Sequence, residues 1–594
     1  MRVKIVTGRL FARPAPAGAA LAVAAALAVM AALPSVTNLP AALGVAGLFG
    51  TRPGGTGTGG TGSGGTGSAG PAAGPGDASG HGHTTAGPPA SLLPGVGWTG
   101  CQRGIPRPFQ CATVTVPLDY RHPSGRKTKL AVLRLPASEP SKRIGSLFVN
   151  FGGPGGPDIS DLVSRADVVF GSSIRRRFDL VTWDPRGVEY STPVNCFGSQ
   201  AASDSYYNSL PVFPYPQSGE ASYFKLSAQL GKDCQRRSGY LLPHISTADS
   251  ARDLDMIRRD LGENRISFLG FSYGTVLGAT YANLFPSRVR AMVLDGTLDF
   301  TGNATGHQAG DGATSPVDLR QGVDKAGQDA FSRFLALCAR AAGKCAFSGG
   351  NLHTKWAALL ARARSGQLSY QNLMTLAYYG MESPIADWPG LAGSLQSLYT
   401  ATSAGRSLSP RRAARLRRTA VRAASQGLLP AAGRPAARAG AAAYVGNRMD
   451  AYYSTQCADS RAPTRTSVYH NLGSGEDKKV PGFGRLIVYD MMPCASWPAM
   501  HTDAYDGPWG ASRATILVIN ARHDPITPLW GARTAVSELH NARLLTVNGD
   551  GHTSMFVEPS ACRQAAEAAY LTSLKLPAKG TVCQVSRLPW GLSP

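Results

Sequence analysis

From Gly97 onward the chain alternates short apolar runs with stretches of helical periodicity. The runs Leu130–Leu135, Ser146–Phe151, Asp179–Trp183, Arg265–Gly270, Ala291–Leu294, Thr515–Ile519 and Leu544–Val547 predict strands. Several are continuously apolar rather than alternating, the pattern of strands covered on both faces in a parallel sheet flanked by helices. The spacing between Asp249 and Leu261 predicts a helix. Strand, helix and strand in succession is doubly wound α/β logic. The alternation stops over 302–505, where Ala, Arg, Leu and Tyr recur at helical spacing without a convincing strand run. That block predicts a helical cap inserted into the sheet, lying over the C-terminal strand edge where open α/β sheets keep their sites.

Two segments precede the ordered part. Residues 1–50 open with Arg2, Lys4, Arg9 and Arg13, then an apolar run Ala17–Leu33 ended by Pro34. A charged region followed by an apolar one is an export signal or an uncleaved N-terminal membrane anchor. Residues 51–93 are rich in Gly, Thr, Ser and Pro and predict a disordered linker, which makes His81 and His83 incidental. The core is then expected in two parts, 94–301 and 506–594, around the helical cap. An exported chain with an even number of cysteines, ten in all, predicts disulfides. Sequential pairing is the simplest of the possible connectivities. No C-x-x-C pair suggests zinc.

The net charge of +23 permits nucleic-acid binding, yet no basic stripe interleaves with aromatics. The densest basic cluster, Arg411, Arg412, Arg415, Arg417, Arg418 and Arg422, lies among alanines and reads as the solvated face of a helix, with contact to anionic polymers or lipid headgroups as the lesser reading.

The chemistry concentrates at Gly270-Phe271-Ser272-Tyr273-Gly274. A Gly-x-Ser-x-Gly between a buried strand and a helix is a nucleophile elbow, which predicts the α/β-hydrolase fold with Ser272 as nucleophile. A serine hydroxyl needs a base held by a third group, in the chain order Ser, acid, His. Asp524 follows the strand at Thr515–Ile519, and His552 follows Leu544–Val547 in a glycine-flanked loop. His552 would take and return the proton while Asp524 holds its tautomer. Asp295, Asp299, His523 and Asp550 are rivals by position. For the oxyanion, Tyr273 offers the N–H directly after the nucleophile, and Gly153 lies in the turn Gly152-Gly153-Pro154-Gly155-Gly156-Pro157 after an early strand. No Gly-Lys-Ser/Thr follows, so this turn is no phosphate loop. No cofactor or metal is implied.

With these residues in place the chain resembles the actinobacterial tripeptidyl aminopeptidases, relatives of prolyl aminopeptidase. The likeness rests on Val116–Tyr120, Asn150–Gly156, Trp183–Gly187, Ser191–Cys196, Thr247–Asp255, Gly270–Thr275, Leu294–Gly296, Asp524–Pro528 and Gly551-His552, and on a tail from Cys562 to Cys583. It implies an exopeptidase acting on free N-termini, with acidic cap residues receiving the substrate's α-amino group. Glu382, Asp387, Asp450 and Asp459 are acids of the cap block, of which Asp459 and Glu382 are the candidates. Glu189, Phe300 and Pro157 depart from the family pattern at the edge of the site. A carboxylesterase on the same scaffold is the alternative, and a non-catalytic surface binding protein the third. The expected substrate is a peptide or an ester, met outside the cytoplasm by a secreted or surface-tethered enzyme.

Overall fold

A computed structural model describes residues 95–101, 104–427, 447–556 and 559–594. The export run Ala17–Leu33 and the linker with His81 and His83 lie outside the described residues. Ten strands form one sheet: β1 (Thr99–Gly100), β2 (Gln110–Pro117), β3 (Lys127–Leu135), β4 (Gly145–Asn150), β5 (Phe178–Trp183), β6 (Ile266–Phe271), β7 (Val289–Asp295), β8 (Ile516–His523), β9 (Ala542–Asp550) and β10 (Val582–Gln584). Their order is β1-β2-β3-β5-β4-β6-β7-β8-β9-β10, antiparallel as far as β5 and parallel from β5 to β10. This is the α/β-hydrolase fold, a mostly parallel doubly wound sheet.

The continuous apolar runs are explained by cover on both faces. In β4, Leu147 and Val149 face one apolar cluster with Leu269, Phe271, Val293, Leu517 and Ile519, while Phe148 faces the other with Phe268, Leu294 and Val518. Side chains two apart share a face, so a strand buried on both sides has no polar alternate. β1, β2 and β10 were not among the expected strands. β2 is half-exposed and alternates in polarity, while β1 and β10 are only two and three residues long.

Between β7 and β8 the described residues are helical, among them Val323–Ala341, Tyr370–Tyr379, Pro384–Ala401, Pro410–Gly427, Arg448–Asp459 and Phe483–Asp490. In Pro410–Gly427, Leu416 and Ala420 are buried while Arg411, Arg412, Arg415, Arg417 and Arg418 are exposed. That is the solvated face expected. Among the described residues no helix is long and apolar enough to cross a membrane.

All ten cysteines pair in sequence: Cys101–Cys111, Cys196–Cys234, Cys338–Cys345, Cys457–Cys494 and Cys562–Cys583. Such density belongs to an extracytoplasmic protein. Each bridge contributes about 2–4 kcal/mol, chiefly by constraining the unfolded chain. Cys196–Cys234 and Cys457–Cys494 share one apolar cluster with Leu230, Met491 and Trp497. The helix Glu220–Ser238, inserted between β5 and β6, is thereby packed against the helical block.

Candidate active site

The register of the parallel strands brings their C-terminal ends together. Asn150 pairs with Gly270, Phe271 with Asp295, Asp295 with Ile519 and His523 with Asp550. The residues just beyond these positions therefore share one edge of the sheet.

At β6 the chain turns from strand to helix within two residues, Ser272 and Tyr273, before the helix Gly274–Leu284. Ser272 adopts φ +55°, a left-handed value uncommon for a residue with a side chain and a form of stored strain. Its N–H donates to the Asp295 carbonyl at 2.9 Å, and its own carbonyl accepts from the N–H and hydroxyl of Thr275 at 2.8 and 2.6 Å. The flanking glycines are set by close approach. A Cβ on Gly270 would stand 2.3 Å from the Gly274 carbonyl oxygen, and one on Gly274 2.6 Å from Asn150 Oδ1.

The glycine turn after β4 lies directly against this elbow. Gly152 has φ +96°, and a Cβ there would fall 2.5 Å from the Phe271 carbonyl oxygen, 3.0 Å from Ser272 Cβ and 3.2 Å from Tyr273 N. Asp158 fixes the entrance of the turn by accepting from Phe151 N–H at 2.6 Å and from Asn150 Nδ2 at 2.7 Å. Neither Gly153 N–H nor Tyr273 N–H donates to a protein acceptor among the described residues, whereas Gly152 N–H is committed to Asn150 Oδ1. Tyr273 N–H, next to Ser272, and Gly153 N–H, in the turn packed on the elbow, are thus left as uncommitted donors among the described residues. Gly152→Ala is expected to cut kcat roughly a hundred- to a thousandfold by displacing the turn from the elbow. Steady-state kinetics, with circular dichroism to show an intact fold, would check it.

Asp524 and His552 are brought together. His552 Nδ1 lies 2.9 Å from Asp524 Oδ1 and 3.1 Å from Oδ2. The Asp524 carboxylate is buried and accepts Ile526 N–H, Thr527 N–H, the Thr527 hydroxyl and Thr553 N–H, all between 2.8 and 3.0 Å. Nothing is left to rotate, so the imidazole is held with Nδ1–H toward Asp524 and Nε2 free. Burial alone would lower the His552 pKa, but the Asp524 charge and hydrogen bond, helped by Glu382 and Asp295, raise it above its ordinary value.

The rival residues are engaged elsewhere. Asp295 accepts Ser554 N–H at 2.8 Å and the Ser554 hydroxyl. His523 pairs with Asp329 at 2.7 Å, and Asp550 with Arg333 at 3.1 Å. Asp299 caps the helix Phe300–Ala304 and holds His307.

The acids of the helical block divide clearly. Asp459 accepts Thr247 N–H at 2.8 Å and the Thr247 hydroxyl at 2.5 Å, so it fastens the start of the helix Thr247–Asp260. Burial nevertheless pushes its carboxyl up to about 7. Asp450 accepts Cys196 N–H and the Tyr207 hydroxyl, at 2.8 and 2.7 Å. Asp387, in the helix Pro384–Ala401, is pushed by burial to about 6. Glu382 differs from all three. Its main-chain carbonyl accepts His552 N–H at 2.9 Å, the residue is 4% exposed, and Oε1 has no partner among the described residues. Burial raises this carboxyl to about 7, against the pull of protonated His552.

Two further acids, Asp318 and Asp490, were not singled out by the sequence. Burial raises both carboxyls; the contact with Asp490 raises Asp318 further, whereas the hydrogen bonds from Asp318 and Tyr452 pull Asp490 back down. The Tyr452 hydroxyl reaches Asp490 at 3.5 Å, and Tyr379 feels the charges of Asp490, Glu382 and Asp318 together. The sequence carries no signal for this pair, because Val317-Asp318-Leu319 and Tyr489-Asp490-Met491 are ordinary helix-end contexts brought together only by the fold.

The profile of a family described as TAP-like protein matches residues 478–583. Tripeptidyl aminopeptidase of Streptomyces lividans is 28% identical over 505 residues, 83% of this chain and 88% of the relative. Carboxylesterase B of Mycobacterium tuberculosis is 30% identical over 535 residues, covering 86% of this chain and 94% of its own. Serine protease Hip1 of the same organism is 30% identical over 519 residues, 82% and 91% of the two chains.

The chain belongs to the tripeptidyl aminopeptidase family of serine hydrolases.

For a member of this family, the three departures from the sequence pattern are locally accommodated. Glu189 takes φ +23° and donates its N–H to Asn447 Oδ1 at 3.1 Å. Phe300 is fully buried and packs on Trp509 with ring centroids 5.1 Å apart. Pro157 ends the glycine turn and precedes the helix Asp158–Val169. The helix Arg448–Asp459 packs directly on the glycine turn: a Cβ on Gly155 would meet Tyr452 N at 2.7 Å and the Arg448 carbonyl oxygen at 2.8 Å. Arg448 Nε and Nη1 have no partner among the described residues, and burial lowers the guanidinium pKa to about 10.

Proposed function

We propose that this protein is an exported serine aminopeptidase that releases short peptides from free N-termini through an acyl-enzyme. Residues 302–505 act as the cap over the sheet edge. Ser272 Oγ attacks the scissile carbonyl while His552 Nε2 accepts its proton; Asp524 holds the imidazole and stabilises the imidazolium. Tyr273 N–H and Gly153 N–H receive the developing oxyanion. As the C–N bond breaks, His552 returns the proton to the leaving amine, and water then hydrolyses the ester by the same route in reverse.

The observation that carries the peptidase reading is the buried Glu382 carboxylate beside His552, whose Oε1 has no partner among the described residues. A buried charge without a partner costs several kcal/mol, so such a group is retained where a ligand completes it. An ammonium group is the natural complement. With Asp459 fastened to Thr247, Glu382 is the stronger candidate for the substrate's N-terminus. The names of the Streptomyces relatives favour release of three residues at a time. The chain is secreted or tethered through Ala17–Leu33, with residues 51–93 as a spacer.

A comparison of a tripeptide amide, its N-acetylated form and short-chain esters tests the reading. Free-amine substrate is expected to be cleaved far faster than the acetylated one. Equal rates would overturn it, and rapid turnover of esters alone would favour the carboxylesterase that a Mycobacterium relative is named for. Glu382→Gln is expected to raise KM for the free-amine peptide about ten- to a hundredfold, the worth of a charge-assisted hydrogen bond, with little change for an uncharged ester. Because the carboxyl sits near 7, this selectivity should fade as pH falls below about 7 and Glu382 gains a proton.

A further inference from the structure

Asp295 is fully buried, carries a carboxyl in the site, and has no part in the chemistry assigned to Ser272, His552 and Asp524. It is nevertheless bonded to both of the loops that must meet. Its main-chain carbonyl accepts the N–H of Ser272 at 2.9 Å. Its carboxylate accepts the N–H of Ser554 at 2.8 Å through Oδ1 and the Ser554 hydroxyl through Oδ2. One residue thus spans from the nucleophile to a position two residues beyond the base. We propose that Asp295 is a positioning residue that sets the separation of Ser272 and His552 by tying the elbow to the histidine loop.

The neighbouring contacts show why such a tie is needed. Ser272 sits at strained φ +55°, which persists only where surrounding bonds over-determine it. The histidine loop is pressed directly onto the end of β7. Gly296, at φ +69°, would place a Cβ 2.7 Å from Thr553 Cγ2. Asp524 holds the imidazole and Thr553 N–H from one side, and the Glu382 carbonyl holds His552 N–H from another. Both of those anchors belong to segments other than the one that bonds Ser272. Only through Asp295, among these anchors, does the loop refer its position to the nucleophile itself. Without the carboxylate, the buried N–H and hydroxyl of Ser554 lose their partners, a cost relieved only by moving the loop. A displacement of about 1 Å between reacting groups lowers rate roughly a hundredfold.

The carboxylates facing His552 are Asp524, Glu382 and Asp295, while Asp295 itself faces Arg563 and Glu567 of the helix Ala561–Ser573. Removing the Asp295 charge therefore lowers the His552 pKa as well. This separates a positioning group from a packing one, since packing alone would not move the pH profile.

The inference rests on the reading of Ser272 and His552 as nucleophile and base, and the experiment keeps the two apart. Asp295→Ala, Asp295→Asn, Ser554→Ala and Ser272→Ala are compared with wild type for kcat, KM, the rate of acylation by a fluorophosphonate, and Tm. Asp295→Ala is expected to lose about a hundredfold in kcat and in acylation rate, with KM within about twofold. Asp295→Asn keeps an acceptor for Ser554 N–H and gains a donor for its hydroxyl. It should stay within about tenfold of wild type, with the acid limb of kcat/KM moved to lower pH. Ser554→Ala should fall between them. An acylation rate for Asp295→Ala within about threefold of wild type would overturn the proposal. So would equal losses in Ala and Asn variants that follow Tm. Should Asp295→Ala not fold, wild-type kcat in Ser554→Ala with an unmoved pH profile in Asp295→Asn would overturn it equally. Acylation of Ser272→Ala would instead refute the underlying triad.

Discussion

Replacing Asp524 by asparagine is expected to lower kcat by about four orders of magnitude with KM changed only a fewfold. The size follows from what the carboxylate does in the structure. It holds Nδ1–H of His552 at 2.9 Å while its remaining capacity is filled by Ile526, Thr527 and Thr553. An amide at this position would keep the shape but turn a donor toward one of these donors or toward Nδ1. The imidazole would then be stabilised in the tautomer with Nδ1 unprotonated, placing its proton on Nε2, where Ser272 needs an acceptor. The imidazolium would also lose the charge that raises its pKa. The acid limb of kcat/KM, which in wild type should lie above the ordinary histidine value because His552 must be neutral to act, would move down. Stopped-flow or steady-state kinetics from pH 5 to 9 would read both effects. A loss of less than about tenfold would mean that another acid orients His552.

Ser272→Ala should be more damaging still, with kcat falling roughly a millionfold. The residual rate would come from the free donors of Gly153 and Tyr273 and from substrate binding, neither of which the substitution touches. Because Ser272 lies at φ +55°, alanine inherits the strain but not the hydroxyl, and stability should change little. A KM or Kd for a non-hydrolysable peptide unchanged from wild type, together with the lost turnover, is the expected result.

What could be read from sequence was whatever chemistry imposes on neighbours in the chain. The glycines at 270 and 274 are spaced by the steric demand of one turn, and the apolar runs Ser146–Phe151 and Arg265–Gly270 by the demand of two covered faces. The α/β-hydrolase fold followed from these, and the family from the resemblance of longer stretches such as Trp183–Gly187 and Thr247–Asp255. The order of Ser272, Asp524 and His552 is fixed by strand order, so local context after each strand was enough to nominate them, and the structure places His552 Nδ1 2.9 Å from Asp524 Oδ1. Less was legible where the determining contact is remote. Asp459 and Glu382 are both acids in helical surroundings. Only the fold shows that Thr247, 212 residues away, occupies the first, while the second is left open beside His552. The Asp318–Asp490 contact and the double attachment of Asp295 are likewise products of tertiary packing. β1 and β10 escaped notice because two or three residues carry no periodicity.

Intact-mass and peptide mass spectrometry after treatment with a fluorophosphonate tests the central claim most directly. The account predicts a single adduct on wild type, localised to Ser272, formed faster as pH rises through the His552 pKa, and absent from Ser272→Ala. An adduct on another residue, or none on folded wild-type protein, would contradict it.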